Sequence, residues 1–246
     1  MERAPTTNPF SLHGKTVLVT GASSGLGRQI AISCTRMGAR VIISGRDDQR
    51  LSQTFADLEG DGHQKLCADL TSAADLEALV ASAPSIDGVV HAAGVQRLSP
   101  IKLLSEKLLR EVFDINFVAP VMLTQRLLYR GALTTGGSII FLSSSSAHTG
   151  TPGVGPYAAS KAALHGIMRC LAIEQAKRRV RVNCLVPSAV ETPLWDEKLE
   201  AQRARHPLGL GTPDDIANAV IYLLADASRW ITGSELVMDG GVVAAS

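Results

Sequence analysis

Tyr157 and Lys161 stand four residues apart in Tyr157-Ala158-Ala159-Ser160-Lys161, a segment of strong helix formers. On a helix that spacing puts both side chains on one face, one turn apart. An ammonium beside a phenol favours the phenolate and lowers a pKa that is about 10 when unperturbed. A tyrosine tuned in this way can exchange a proton near neutral pH. Thirteen residues before Tyr157 lies Ser144, at the end of the apolar run 138–143. The carboxyl ends of strands in open α/β sheets are where ligands bind. The other three serines of Ser143-Ser144-Ser145-Ser146 read as a polar turn. Alone, the Tyr–Lys pair would equally describe two solvated surface residues, so the rest of the chain has to decide.

A second set near the N-terminus could hold a phosphate. Gly21, Gly25 and Gly27 in Thr20-Gly21-Ala22-Ser23-Ser24-Gly25-Leu26-Gly27 follow the apolar run Val17-Leu18-Val19 and lead into Arg28-Gln29-Ile30-Ala31-Ile32. Strand, glycine turn, then helix is how a protein builds a site for a dinucleotide pyrophosphate. Gly21 allows the tight turn, Gly25 lets the backbone approach the phosphates, and Gly27 lets helix and strand pack closely. The amides and positive dipole end of the helix start then face the anion.

These residues need a scaffold, and the chain alternates short apolar strands with helical patterns. Strands are predicted near 16–20, 41–44, 64–68, 87–91, 138–143, 180–186 and 235–239. Helices are predicted near 25–37, 47–59, 72–82, 101–130 (broken once), 157–178 and 213–226. Val41-Ile42-Ile43 and Ser138-Ile139-Ile140-Phe141-Leu142 lack polar alternation, as strands covered on both faces do. Thr212-Pro213-Asp214-Asp215 supplies an N-cap, a proline at the first helical position and acids in the first turn. Ser72 with Asp75 resembles a capping box. The expectation is an α/β protein: a single Rossmann domain over residues 1–246, with a doubly wound seven-stranded parallel sheet and helices on both faces. Residues 1–12 read as an N-terminal tail and 193–211 as a substrate lid.

Composition narrows the function classes. The 246 residues are 46% hydrophobic with 22 glycines, which suits an α/β protein with many short loops. Lys plus Arg is 24 against 23 Asp plus Glu, a formal charge of +1. That provides no general basic field, so neither nucleic acid nor membrane is expected as a partner. Cys34, Cys67, Cys170 and Cys184 lack metal-ligand spacing and read as small core residues in a reducing compartment; no metal site is expected. Residues 1–12 lack an apolar signal core, and no run approaches the roughly 20 apolar residues of a membrane span, so the expected location is cytoplasmic.

Taken together, the motifs resemble the short-chain dehydrogenase/reductase family over residues 14–242, in its branch of about this length, similar to the 3-oxoacyl-[acyl-carrier-protein] reductases. The matches are the Thr20–Gly27 loop, Asp69-Leu70, Ala92-Ala93-Gly94, Asn116, Ser144 with Tyr157 and Lys161, Arg181-Val182-Asn183, Pro187 with Thr192, and Asp239-Gly240-Gly241. The resemblance implies that Tyr157 is the general acid in carbonyl reduction and the base in alcohol oxidation. It implies that Ser144 hydrogen-bonds the substrate oxygen and that Lys161 binds the nicotinamide ribose and lowers the Tyr157 pKa. Asn116 should hold a water linking Lys161 to solvent. With Gly21, Ser23, Ser24, Gly25, Leu26 and Gly27 at the pyrophosphate, Asp69 and Leu70 would flank the adenine. Ala93 and Gly94 would meet the adenine ribose, and Pro187, Val190 and Thr192 would form the nicotinamide loop. A homotetramer or homodimer is implied, with interfaces on helices 101–130 and 157–178 and on the last strand.

Nucleotide choice turns on the end of the second strand, which reads Ser44-Gly45-Arg46. An acid there binds the ribose 2′-hydroxyl, whereas a nearby Arg accommodates a 2′-phosphate. Gly45 stands where NAD-preferring relatives carry Asp, and Arg46 follows it, while Asp47 and Asp48 read as the start of the next helix. NADP(H) is therefore favoured, with NAD(H) as the alternative. The chain departs from the family at His91-Ala92-Ala93-Gly94, in place of Asn-Asn-Ala-Gly, and at Pro187-Ser188, in place of Pro-Gly. His91, His148 and His165 read as structural or solvent-facing. Trp195, Lys198, Arg203, Arg205 and His206 mark the lid, where Trp195 either walls the pocket or packs the lid down. The expected activity is hydride transfer between a nicotinamide and a ketone or secondary alcohol, with a 3-oxoacyl thioester as the foremost substrate. An NAD-dependent alcohol or sugar dehydrogenase is one alternative, an epimerase or dehydratase that recycles its nicotinamide another, and a non-enzymatic nucleotide-binding regulator a third.

Overall fold

The computed structural model describes residues 8–83, 85–191 and 202–245. Its strands are β1 (Thr16–Thr20), β2 (Arg40–Gly45), β3 (Gln64–Cys67), β4 (Ile86–His91), β5 (Leu133–Leu142), β6 (Arg181–Pro187) and β7 (Glu235–Met238). They form one sheet in the order β3-β2-β1-β4-β5-β6-β7, and every neighbouring pair is parallel. The helices are α1 (Gly25–Arg36), α2 (Asp48–Ala56), α3 (Ala73–Ser82), α4 (Glu106–Phe113), α5 (Ala119–Tyr129), α6 (Gly155–Glu174) and α7 (Pro213–Leu224).

The pleat of β1 explains why the sheet is covered on both sides. Val17 and Val19 pack with Ile30 and Cys34 of α1 and Ile216 and Val220 of α7. Leu18, one residue out of phase, packs with Leu79 of α3, Leu123 and Leu127 of α5 and Leu164 of α6. A strand whose alternate residues both meet helices has no solvent face, hence its unbroken apolar run. β1 lies between β2 and β4, so the chain winds one way from β1 and the other way from β4. The crevice at that reversal is where such sheets bind ligands.

Local chemistry sets the helix starts. Asp47 caps α2 by accepting the Arg50 N–H at 2.9 Å. Thr212 and Asp215 form a reciprocal capping box at α7, the Asp215 carboxylate accepting the Thr212 N–H at 2.7 Å. Ser72 accepts the Asp75 N–H at 3.3 Å, but Asp75 does not return the bond to Ser72 N–H; its carboxylate takes the Asp69 N–H at 2.7 Å instead. That bond fixes the turn after β3.

The stretch 101–130 differs from a helix broken once. Ile101–Leu103 is a separate 3-10 turn, and α4 runs into α5 through a π-turn at Asp114–Val118. The predicted helix 157–178 begins earlier, at Gly155, and stops at Glu174. A 3-10 turn follows and ends at Arg179, whose φ of 56° is left-handed. β5 is longer than its apolar run, because Leu133 already pairs with Ile86 before a register irregularity. Within the segment read as an N-terminal tail, Leu12 is fully buried and the Ala227 N–H donates to Pro9 O at 2.9 Å. The cysteines do not all lie in the core. All four are free, Cys34 and Cys184 are buried, and Cys67 and Cys170 are exposed.

Candidate active site

A cleft of about 340 Å³ opens over the ends of β1, β2 and β4, lined by the glycine turn, Gly45-Arg46, Asp69-Leu70 and Ala93-Gly94. Gly21 has φ +68°, and a Cβ there would stand 2.7 Å from Ala93 N and Cα. Gly27 packs so closely on the Gly21 carbonyl that a Cβ would overlap it. Gly25 has φ +54° and open space above it. Ser24, at the N-cap of α1, makes no side-chain capping bond, so the helix start leaves its first amides for another acceptor. Ser23 and Leu26 line the same wall. A cradle without side chains at a helix start fits a pyrophosphate.

Farther along the cleft, the acids are already engaged. Asp47 is held by Arg50, whose Nε donates to it at 2.8 Å. The Asp69 carboxylate accepts the Thr71 N–H at 2.9 Å and the Thr71 hydroxyl at 2.8 Å. Those bonds, with the charge of Arg46 adding to them, lower the Asp69 pKa. Arg46 is exposed at the cleft wall and forms no ion pair among the described residues. A Cβ on Gly45 would meet Ser23 Cβ and Oγ at 3.0 Å, so any larger residue there would press on the phosphate turn.

Tyr157 and Lys161 stand on α6, with Lys161 Nζ 3.3 Å from the Cβ position of Gly94 on the cleft wall. Lys161 is buried, and its Nζ donates to Leu142 O at 2.7 Å and stands 5.8 Å from the centre of the Tyr157 ring. Burial lowers the Lys161 pKa to about 8. Burial raises that of Tyr157, and the Ser144 hydrogen bond opposes the rise. The sequence expectation is that Lys161 pulls the Tyr157 pKa down; in the nucleotide-free chain burial outweighs the Ser144 hydrogen bond and the pKa is raised.

Ser144 leaves the end of β5 as the N-cap of the 3-10 turn Ser145–Ala147, its Oγ accepting the Ser146 N–H at 3.2 Å. Its O–H faces the Tyr157 phenol oxygen, the hydrogen bond that opposes the rise in the Tyr157 pKa. Asn116 sits buried in the π-turn, where its amide donates to Val95 O at 2.9 Å and to Ser160 Oγ at 3.0 Å. Gly94 fits between: a Cβ there would come within 3.2 Å of Asn116 Oδ1 and 3.3 Å of Lys161 Nζ.

Comparison with known proteins identifies the family. A family model described as enoyl-(acyl carrier protein) reductase matches residues 21–243. Human dehydrogenase/reductase SDR family member 4 is 35% identical over 245 residues, covering 94% of this chain and 88% of the relative. The 3-oxoacyl-[acyl-carrier-protein] reductase FabG of Rickettsia bellii (strain RML369-C) is also 35% identical, over 95% of this chain and 99% of the relative. The crystal structure of a dehydrogenase/reductase from Sinorhizobium meliloti 1021 superposes with a TM-score of 0.89 at 32% identity, over 95% of this chain and 97% of that one. The chain is a short-chain dehydrogenase/reductase. As a member of that family it is a pyridine-nucleotide-dependent oxidoreductase acting on the alcohol or carbonyl group of small molecules. No helix among its described residues is long and apolar enough to cross a membrane.

Tyr157 of this dehydrogenase/reductase lines a second cavity, of about 530 Å³, together with Gln96, Leu98, Ser144, Thr149, Ser188 and Arg205 among others. Gln96, Thr149, Gln202 and Val242 line it without having been singled out in the sequence. Val242 had one available signal, since it directly follows Asp239-Gly240-Gly241. Val190 belongs to this wall and bridges to Gly211, while Pro187 ends β6. Thr192, Trp195 and Lys198 lie outside the described residues. The second half of the presumed lid is tied down: His206 is buried, with Nδ1 2.7 Å from Gln202 O and Nε2 2.9 Å from Ser188 Oγ. Ser188, where the family carries Gly, also accepts the Ser145 hydroxyl at 2.9 Å. Ser145 and Ser143 are thus buried hydrogen-bonded residues rather than a polar turn. The remaining family motifs hold the fold: Asn183 accepts the Ser234 N–H at 3.1 Å, and Asp239 accepts those of Gly241 at 2.9 Å and Val243 at 2.7 Å.

Proposed function

We propose that this oxidoreductase uses NADP(H) and reduces a ketone to a secondary alcohol, with Tyr157 as proton donor. The observation that carries the reading is the position of Tyr157, on the wall of the outer cavity beside Ser144, with Lys161 and Gly94 linking it to the nucleotide cleft. The nicotinamide, when bound, supplies the hydride. The chain's own part is positional and protonic. Ser144 donates its O–H to the substrate oxygen when substrate enters beside Tyr157, and Tyr157 gives its phenolic proton to that oxygen as charge builds there. Lys161, anchored on Leu142 O, presents its remaining N–H donors to the nicotinamide ribose. Asn116 serves the site by holding Val95 and Ser160. In the oxidative direction Tyr157 takes the proton back.

NADP(H) is supported by the cleft's charge arrangement. Asp47 and Asp69 are engaged by Arg50 and Thr71, and Arg46, in no ion pair among the described residues, presents its guanidinium where a 2′-phosphate would lie. Asp69 and Leu70 flank the adenine, Ala93 and Gly94 its ribose, and Pro187, Val190 and Thr192 the nicotinamide loop. The foremost substrate is a 3-oxoacyl thioester, the class named for the Rickettsia relative. The assembly is a homotetramer or homodimer, for which the exposed Ile173 of α6 and Val237 of β7 are fitting contacts. Free cysteines suit a cytoplasmic setting.

Two measurements test the reading. Fluorescence titration should show tighter NADPH than NADH binding, with the preference lost in Arg46→Ala; equal binding insensitive to that change sinks the NADP(H) assignment. NADPH consumption with a ketone panel should fall about 100-fold or more in Tyr157→Phe while nucleotide binding persists. Turnover surviving in Tyr157→Phe, or binding without turnover of any ketone by the unaltered chain, overturns the catalytic reading.

A further inference from the structure

Beside the edge strand β7, three side chains able to ligate a metal converge from distant parts of the chain. His148 follows the 3-10 turn after β5, His165 lies on α6, and Glu235 opens β7. His148 Nε2 is 3.1 Å and His165 Nδ1 is 3.2 Å from the same Glu235 oxygen, Oε2. The three donor atoms all lie within 4.8 Å of one another. We propose that His148, His165 and Glu235 form a binding site for a divalent transition-metal ion of the zinc class.

The distances suit that ion. Tetrahedral coordination with bonds of about 2.0–2.1 Å separates neighbouring ligand atoms by about 3.3 Å, close to both nitrogen–oxygen gaps. Two imidazoles and one carboxylate match the borderline-soft preference of zinc, and a fourth position is left for water on the side of the exposed His148.

The surroundings already hold the ligands. His165 Nε2 is 2.7 Å from Ser143 Oγ, and that oxygen is 3.1 Å from Lys161 O. When Ser143 donates to Lys161 O, His165 Nε2–H donates to Ser143 and the Nδ1 lone pair faces the Glu235 carboxylate. Two acceptors 3.2 Å apart then need either a second proton, making His165 an imidazolium, or a metal ion between them. When Ser143 donates instead to Nε2, a proton on Nδ1 fills the gap. Metal uptake selects the first tautomer, giving His165 the outer hydrogen bond typical of histidine ligands. Arg169 holds the other Glu235 oxygen, Oε1, at 3.0 Å, which orients the carboxylate while leaving Oε2 for the ion. Ser143 adjoins Ser144, so the ion would tie the edge strand β7 and helix α6 to the turn that carries a catalytic hydroxyl.

Cobalt(II) titration of tag-free protein tests this independently of turnover. The expected result is one ion per chain, with the visible absorption of nitrogen and oxygen ligation and without the intense near-ultraviolet band of sulfur ligation. Binding should be displaced by zinc, be lost in His148→Ala and in Glu235→Gln, and weaken about tenfold or more in Ser143→Ala. A Cys67→Ser/Cys170→Ser variant should bind unchanged. Because His148 is exposed, its variant is expected to keep the circular dichroism of the unaltered protein, which separates lost binding from lost folding. No binding, binding retained in both ligand variants, or binding lost only with the cysteines overturns the proposal.

Discussion

Asn116 clamps Val95 from both sides: its Oδ1 accepts the Val95 N–H at 2.8 Å, and its Nδ2 donates to Val95 O at 2.9 Å. The same amide reaches Ser160 on α6. One side chain thus fixes the loop after β4 against the helix that carries Tyr157 and Lys161. Asn116→Ala leaves the part-buried Val95 N–H and C=O without these partners, which costs up to about 1–3 kcal/mol per unsatisfied group. The expected outcome is a lower melting temperature together with a lower kcat. A variant with unchanged thermal unfolding and unchanged kcat would show that the clamp is dispensable.

Gly94 is required for space rather than for backbone conformation. Its Cβ position lies 3.2 Å from Asn116 Oδ1 and 3.3 Å from Lys161 Nζ. Gly94→Ala is expected to displace Lys161, so that nucleotide affinity and turnover fall while the unfolding transition moves little. Calorimetric nucleotide titration beside thermal melts checks this; an undisturbed affinity contradicts it.

Gly27 tests the turn itself. A methyl group there meets the Gly21 carbonyl, which belongs to backbone and cannot rotate away. Gly27→Ala should push α1 from β1, an overpacking cost of about 1–3 kcal/mol, and weaken nucleotide binding as well. Gly131, with nothing within 4 Å of its Cβ position, is a control for space, although its φ of +65° adds strain to any substitution. Chemical denaturation of Gly27→Ala should show the midpoint shift, and an unshifted midpoint would falsify the packing argument.

His91 makes stability pH-dependent. It is buried, stacked on Phe141 at 4.9 Å, with Nε2 2.8 Å from Thr124 Oγ1 and Nδ1 without a partner among the described residues. Burial lowers its pKa from 6.5 to about 3. The unfolded chain therefore binds a proton between those values that the folded chain does not. Its contribution is complete above about pH 6.5 and is lost by about 1.4 kcal/mol per unit as the pH falls toward 3. His91→Asn, the residue common in the family, should flatten the fall in melting temperature between pH 6 and 4. Identical slopes for the two proteins would refute the assignment.

Tyr157 sets the direction of pH dependence in catalysis. With its hydroxyl pKa raised by burial, the protonated acid persists through neutral pH in the nucleotide-free protein. The kcat/KM for ketone reduction should be flat there and decline only on the alkaline side, while alcohol oxidation, which needs the deprotonated form, should climb with pH. Reduction that declines on the acidic side of neutrality would contradict this order.

Local chain geometry was enough to make much of this protein legible. Strand, turn and helix are built from neighbours, so Val17–Gly27 announced a phosphate cradle, the runs 41–43 and 138–142 announced strands covered on both faces, and Thr212–Asp215 announced a helix start. Tyr157 and Lys161 share a helix face by spacing alone. The order of the seven strands then decided everything that depends on partners distant in sequence. It placed Leu142 O within reach of Lys161 and buried Tyr157, so that burial sets the direction of the Tyr157 pKa. It set Val95 against Asn116 across 21 residues, joined Ser188 to His206, and left Cys67 and Cys170 outside the core. It also gathered His148, His165 and Glu235, a constellation with no spacing to announce it. Periodicity records which face of an element is apolar; which polar atom meets which is settled only when the elements pack, because a buried donor or acceptor must find its partner within hydrogen-bond reach wherever the fold provides one.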